Sequence, residues 1–389
     1  MNTSKKSLSL IRTNYTLSFK KNGLDLWRYV FTATEKGTGV EKMFFIELEL
    51  LNPFLSSSSV VLGFDSRVQV SQEQLQNVLA GTISARQMQS ENLVVPSYVS
   101  VKAGILGKGA KQLCFYLPIS DVKFSTKNFE FEVGKCIFTD NKLSGLISQN
   151  TSDIQEHPGF LSSTGMISWD LRYENRENFT VGYNSKKENW VPLGASTVFA
   201  GVISLDGREY SVLPKNSFGF FDKFYGQSLP QDLFHLSSSH LTSIISGKFL
   251  ENASFSVHGV FKNRLSILLK LNDTEIDFCA NNSKHSYSVI YDCSTVSDSE
   301  KGEKLHWSIS AFNKKFVIDI DVYAIANDLF VRSIELPEGM RKVIKSVSGT
   351  SSSGEIRIYK KNKKNLELIE HAHVANCFCE YGSLEIPEC

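Results

Sequence analysis

Apolar and polar residues alternate with period two through most of this chain. That period suits extended strands with one buried face and little else. In the segment 315–323, Phe316, Ile318, Ile320 and Val322 share one face, while Lys315, Asp319 and Asp321 share the other. Leu305, Trp307, Ile309 and Ala311 repeat the pattern, as do Ile356 and Ile358 between Glu355, Arg357 and Tyr359. Such segments recur from Tyr15 to Ile369, punctuated by Asp140-Asn141, Asp206-Gly207, Asn272-Asp273 and Asn313-Lys314. Asp-Gly suits a two-residue type I′ hairpin, and regular turn punctuation between short strands predicts an all-β sandwich or barrel. One stretch departs from the pattern. The segment 71–86 opens with a capping box, Ser71 three residues before Gln74, and sets Leu75, Val78 and Leu79 on one helical face, which predicts one short helix decorating a loop.

With 389 residues and 41% hydrophobic content, the chain has material for two domains with real cores. Residues 149–164, with His157-Pro158-Gly159, are the least strand-like in the first half, but the wholly polar run Ser185 to Asn189 is the better junction. It divides the chain into β-domains 1–187 and 188–389. Forty-two Lys and Arg against 41 Asp and Glu leave a formal charge of +1, a balance that favours neither nucleic acid nor an anionic membrane as partner. Lys360, Lys361, Lys363 and Lys364 straddle Asn362 and read as a polar hairpin turn. Residues 1–10 lack the apolar run of a secretory signal, and no stretch is apolar for long enough to form a transmembrane helix. The seven cysteines are odd in number and dispersed, most within strand-like segments, as expected of reduced core residues in a cytoplasmic protein. Cys377-Phe378-Cys379 has no second pair at zinc-ligand spacing, so no metal is expected.

The segment 218–230 carries the chemistry of most interest, because Asp222 and Lys223 are adjacent there and embedded among Phe220, Phe221, Phe224 and Tyr225. A charged group in that much apolar surface is pushed toward its neutral form, which general acid–base work requires. A surface turn with a solvated Asp-Lys pair is the plainer reading. Trp169, Trp190 and His235 complete the candidate lining. Trp169 is expected in a core, with Asp170 on the rim. Ser239, His235 and Asp222 could be assembled into a triad, but no Gly-x-Ser-x-Gly elbow supports a hydrolase. Asp319 and Asp321 are explained by an exposed polar face. Glu47 is expected to face solvent, because Phe44, Ile46, Leu48 and Leu50 opposite it are the cheaper barrel filling.

Phe44-Phe45-Ile46-Glu47, Asn52-Pro53, the stretch Pro96 to Gly104, Ser168-Trp169-Asp170-Leu171, Gly182-Tyr183, Asp206-Gly207 and Asp222-Lys223-x-x-Gly226 occur in an order that resembles the tocopherol cyclase family, including its bacterial members. The resemblance spans nearly the whole chain. It implies two tandem lipocalin-like antiparallel β-barrel domains, a hydrophobic isoprenoid or quinone-like ligand, and no cofactor or metal. It also implies cyclisation of a prenylated hydroquinone, in which an acid protonates the alkene and a phenol oxygen captures the cation. Asp222 and Lys223 fall on the acid–lysine pair of the family's acidic-Lys-Asn-Trp-Gly motif, and Gly226 on its glycine. Asp222 would then be the proton donor and Lys223 its tuner or the orienter of the substrate oxygen. Phe221, Phe224, Tyr225, Trp169, Trp190 and His235 would line the site. Phe224 and Tyr225 replace the family's Asn and Trp, and Trp190-Val191-Pro192-Leu193-Gly194 lacks a His and an acid found in bacterial members. These losses point to an alternative, a non-catalytic binding or carrier module. A homo-oligomer is compatible with either reading.

Overall fold

The computed structural model describes residues 23–52, 72–84, 87, 98–118, 121–125, 129–156, 161–179, 182–185, 187–230, 232–261, 264–272, 274–280, 286–298, 302–335, 343–362 and 365–385. Period-two patterning has become two antiparallel sheets arranged in tandem, so the fold is all-β. The first sheet has thirteen strands. They are β1 (Gly23–Glu35), β2 (Glu41–Asn52), β3 (Tyr98–Leu106), β4 (Lys111–Pro118), β5 (Lys123–Phe124), β6 (Glu130–Val133), β7 (Cys136–Thr139), β8 (Lys142–Gln149), β9 (Gly165–Glu177), β10 (Tyr183–Asn184), β11 (Glu188–Leu205), β12 (Arg208–Val212) and β13 (Gly219–Gly226). The second sheet has eleven. They are β14 (Asp232–Ser238), β15 (His240–Ser243), β16 (Ala253–Phe261), β17 (Arg264–Leu271), β18 (Thr274–Phe278), β19 (Ser288–Asp298), β20 (Gly302–Phe312), β21 (Phe316–Ile325), β22 (Phe330–Glu335), β23 (Val343–Asn362) and β24 (Asn365–Glu385).

Each sheet curls back on itself. In the first, Gln149 Nε2 donates to the Cys114 carbonyl at 2.7 Å, the Cys114 amide donates to Ser162 Oγ, and the Ser163 amide donates to the Gln112 carbonyl, which draws β4 back toward β8 and β9. In the second, Tyr287, just before β19, donates its hydroxyl to the Leu265 carbonyl on β17 and packs its ring 5.1 Å from Phe278. Alternation then sorts the side chains. Trp27, Tyr29, Phe31, Phe44, Ile46, Leu48 and Leu50 fill the first barrel, while Trp307, Ile309, Ile318, Ile320, Val322, Ile356 and Ile358 help to fill the second. Each large apolar side chain so buried contributes about 1.5–3 kcal/mol.

The Asp206-Gly207 turn joins β11 to β12 with both residues at positive φ, 50° and 80°, as a type I′ hairpin demands. The expected helix is present as α1 (Gln72–Leu79) and buries none of its residues; its predicted flanks Ser71, Ala85 and Arg86 lie outside the described residues. A second short helix, α2 (Thr151–Glu156), occupies part of the weakly patterned 149–164 segment, where Asn150 Oδ1 accepts the amides of Ser152 and Asp153. His157-Pro158-Gly159 lies outside the described residues. Ser185 and Lys187 to Asn189 lie at the connection between β10 and β11, both in the first sheet, and the change of sheet falls between Gly226 and Asp232. Six of the seven cysteines are described, and all are free thiols; Cys114, Cys136, Cys377 and Cys379 are buried, and burial pushes the Cys136 thiol up to about 12.

Candidate functional site

Strand β13 pairs with both β1 and β11, so it runs along the wall of the first barrel where the second sheet lies against it. Its alternation separates the two titratable neighbours. Phe221, Lys223 and Tyr225 point into the first barrel, whereas Phe220, Asp222 and Phe224 point toward the second sheet. Gly226 ends the strand at φ +149°, and a Cβ there would lie 1.9 Å from the Lys187 carbonyl oxygen, so only glycine lets the chain turn at this point.

The junction between the sheets is built around Arg28 on β1. Its Nε and Nη2 donate to the two Asp222 carboxylate oxygens at 3.2 and 3.0 Å, a bidentate pair, and its Nη1 donates to Glu380 Oε2 at 3.1 Å. Trp190 Nε1 donates to Asp222 Oδ2 at 3.1 Å, and Ser346 and Ser348 donate to Glu380 Oε1. Arg28 and Asp222 are each 1% exposed, so water does not share the work. The rings of Phe224 and Phe378 lie 5.1 and 4.8 Å from the guanidinium carbon. Burial pushes the Asp222 carboxyl upward while Arg28 and Trp190 pull it down; the Glu380 carboxyl is held below its usual range by Arg28 and Arg332 against its own burial.

Arg28 Nη2 also lies 2.7 Å from His235 Nδ1, and because a guanidinium can only donate, Nδ1 is the acceptor. The proton of the neutral ring is then on Nε2, which donates to Ser237 Oγ at 2.7 Å; Ser237 in turn lies 2.9 Å from Ser256 Oγ. A histidine in this tautomer cannot take the serine proton, so the Ser-His contact is not the dyad of a hydrolase. Burial and the nearby guanidinium hold both His235 and His258 well below the ordinary imidazole range. His258 stacks on Trp190 at 5.1 Å and shares a hydrogen bond with the Tyr183 hydroxyl. His235, His258 and Glu380 could offer ligand atoms to one ion, but His235 Nδ1 and Glu380 Oε2 already accept from Arg28.

Glu47 corrects a sequence expectation. Its strand does turn Phe44, Ile46, Leu48 and Leu50 inward, but the opposite face is covered by the second sheet rather than by solvent. Glu47 is 2% exposed and pairs with Arg332 of β22, while Glu49 beside it accepts from Lys102 at 2.8 Å and from Ser100. Asp222, Phe224, Trp190 and His235 therefore converge at the junction. Lys223, Phe221, Tyr225 and Trp169 lie on the other side of the wall, in the first barrel. Arg28, Glu380, His258 and Arg332 were not singled out from the sequence, and Tyr183 only as part of the Gly182-Tyr183 motif. A charged residue alternating with Trp27 and Tyr29 on a β pattern was the one signal available for Arg28.

Inside the first barrel Lys223 Nζ sits 4.2 Å from the centre of the Trp27 ring and 5.1 Å from that of Tyr225, with Asp25 Oδ1 at 3.2 Å. That carboxylate is the ammonium's partner, an ion pair out of hydrogen-bond alignment, and Trp27 Nε1 finds no hydrogen-bond acceptor among the described residues. Burial draws the lysine pKa down, and Asp25 opposes it. Phe221 stacks on Tyr29 at 4.2 Å, and Trp169 is packed in the same core.

No known protein family matches the chain, and no curated protein matches it by sequence. Among solved structures it is similar to a candidate AttH from Nitrosomonas europaea, at 8% identity and TM-score 0.43 over 90% of this chain and 92% of that one. It is also similar to kievitone hydratase from Nectria haematococca, at 10% identity and TM-score 0.42 over 92% and 88%. A third is CghA, at 10% identity and TM-score 0.32 over 93% and 88%. Likeness at this level carries no argument about chemistry.

Proposed function

We propose that the protein is a non-catalytic binding or carrier module for a hydrophobic, oxygen-bearing molecule such as a prenylated quinone or quinol, seated in the first barrel. The observation that supports this is Trp27 Nε1, a buried donor without a hydrogen-bond acceptor among the described residues, beside a Lys223 ammonium held by Asp25 and two aromatic rings. A buried donor left unpaired is costly, and a carbonyl or phenol oxygen between aromatic walls would satisfy it. The motif resemblance to tocopherol cyclases names the ligand class. At the junction, three hydrogen bonds onto the Asp222 carboxylate favour its ionised form, which has no proton to give an alkene. The free cysteines fit a cytoplasmic setting, and among the described residues no helix is long and apolar enough to cross a membrane.

Native mass spectrometry of the purified protein is expected to show a co-purifying lipid that Trp27→Phe and Lys223→Met weaken and Asp222→Asn leaves in place. Wild type and Asp222→Asn are both expected to leave a prenylated hydroquinone unconverted. A protein that never carries a ligand contradicts the binding reading.

One observation favours the cyclase reading as a second. Arg28 faces two carboxylates, Asp222 and Glu380, so the cluster has room for one more positive charge, and burial directs a proton to Asp222. Conversion of the hydroquinone by wild type and its loss in Asp222→Asn would establish that reading.

A further inference from the structure

The second barrel gathers residues that are scattered in sequence onto one end. The β15–β16 loop, the β20–β21 turn and the end of the β23–β24 hairpin all lie there, because Ser243 pairs with Ala372, Phe316 with Lys360 and Asn362 with Asn365. The loop presents Ile244, Ile245 and Phe249 to solvent, and the hairpin presents Leu366, Leu368 and Ile369; Ile245 and Leu366 are 60% and 58% exposed. Side chains of that size at loop tips are unusual unless something covers them.

Lysines surround them. Lys248, Lys314, Lys315 and Lys360 are exposed at the same tips, and among the described residues none has a carboxylate partner; Lys361 lies over the Phe312 ring at 4.7 Å. Glu251, Glu275 and Glu367 are the exposed acids nearby, and Glu370 is turned toward Ser243. Lys248, Lys314, Lys315, Lys360 and Lys361 against these four acids leave this end one positive charge in excess among the described residues. Lys363 and Lys364 adjoin it in sequence and lie outside the described residues.

We propose that this end of the second barrel docks on the surface of an anionic lipid bilayer, with Ile244, Ile245, Phe249 and the hairpin leucines entering the headgroup region and the lysines resting on lipid phosphates. Apolar side chains supply burial without spanning, and each lysine near an anionic surface adds attraction worth about fivefold in binding. The inference does not depend on the ligand assigned to the first barrel.

The test is co-sedimentation with vesicles of phosphatidylcholine alone and of an equimolar mixture with phosphatidylglycerol. Wild type is expected to bind the mixed vesicles, to bind neutral ones far more weakly, and to be released as salt is raised. Lys314→Glu, Lys315→Glu and Lys360→Glu combined should lower binding to the mixed vesicles by about a hundredfold or more, and Ile245→Ser should lower it without changing its salt dependence. Val202→Asp, an exposed apolar site on the first sheet, should bind as wild type. Each of these variants is a surface change, and an unaltered thermal midpoint verifies its fold. Wild type that ignores both vesicles, or a triple lysine variant that binds like wild type, overturns the proposal and leaves a protein partner to cover the tips.

Discussion

The two faces of β13 bury opposite charges in different ways. Toward the second sheet, Asp222 is held by two guanidinium hydrogen bonds and an indole, and its neighbour Glu380 by a guanidinium and two serines. Toward the first barrel's interior, one residue along, Lys223 has a single carboxylate contact and two aromatic faces, with no aligned hydrogen bond. A satisfied network locks two elements together, whereas a single ion pair leaves the ammonium's remaining donors against aromatic faces. Both are fully buried, so the difference lies in how many partners the surrounding strands supply. The junction acts as a latch, and the barrel interior holds Lys223 against Asp25 and two aromatic rings.

The sharpest way to break this contrast is Arg28→Ala, which strands two buried carboxylates. A loss of about 3–5 kcal/mol is expected in urea unfolding, and Arg28→Lys should recover little, because an ammonium cannot make the bidentate contact. Full stability in Arg28→Ala would show that the latch is ornamental. Lys223→Met should cost less, on the order of 1–2 kcal/mol, since only an ion pair and two ring contacts are lost.

The sign of the pH dependence separates the two faces as well. Lys223 has a folded pKa below its unfolded value of 10.5, so the penalty of burying its charge is full at neutral pH and is relieved as pH rises through the lowered folded value toward 10.5. The stability of wild type relative to Lys223→Met should therefore improve between neutral and alkaline pH. His235 and His258 have folded pKa values well below 6.5, so the unfolded chain takes up protons that the folded chain refuses, and stability falls as pH drops below 6.5. Each histidine contributes at most about 1.4 kcal/mol per pH unit. Glu380, lowered from 4.5, adds to that acid loss below 4.5, whereas Asp222, raised from 3.8, opposes it. Combined His235→Asn and His258→Asn substitutions should flatten the slope between pH 6.5 and 4.5. At the small end, Lys123→Ala, which breaks an exposed pair with Glu132, should move stability by under about 0.5 kcal/mol.

Strands such as β20 and β21 were readable because one apolar face per strand leaves a local period-two trace. The Asp222-Lys223 pair also stood out, since charges inside an aromatic run are locally anomalous. Its partners did not, because Arg28 lies 194 residues from Asp222 and 352 from Glu380, and local pattern carries no register between strands so far apart. Glu47 illustrates the same limit. A polar face on one strand looks solvated until a second sheet is laid over it. The polar run at 185–189 looked like a domain junction because a turn within one sheet and a linker between two share their composition.

Asp222 remains a carboxylate in its buried place across the junction. Infrared difference spectroscopy of wild type against Asp222→Asn at neutral pH tests this directly. The substitution is expected to remove an ionised carboxylate signal and no protonated carboxyl carbonyl band; disappearance of a protonated carboxyl band would return Asp222 to the role of acid.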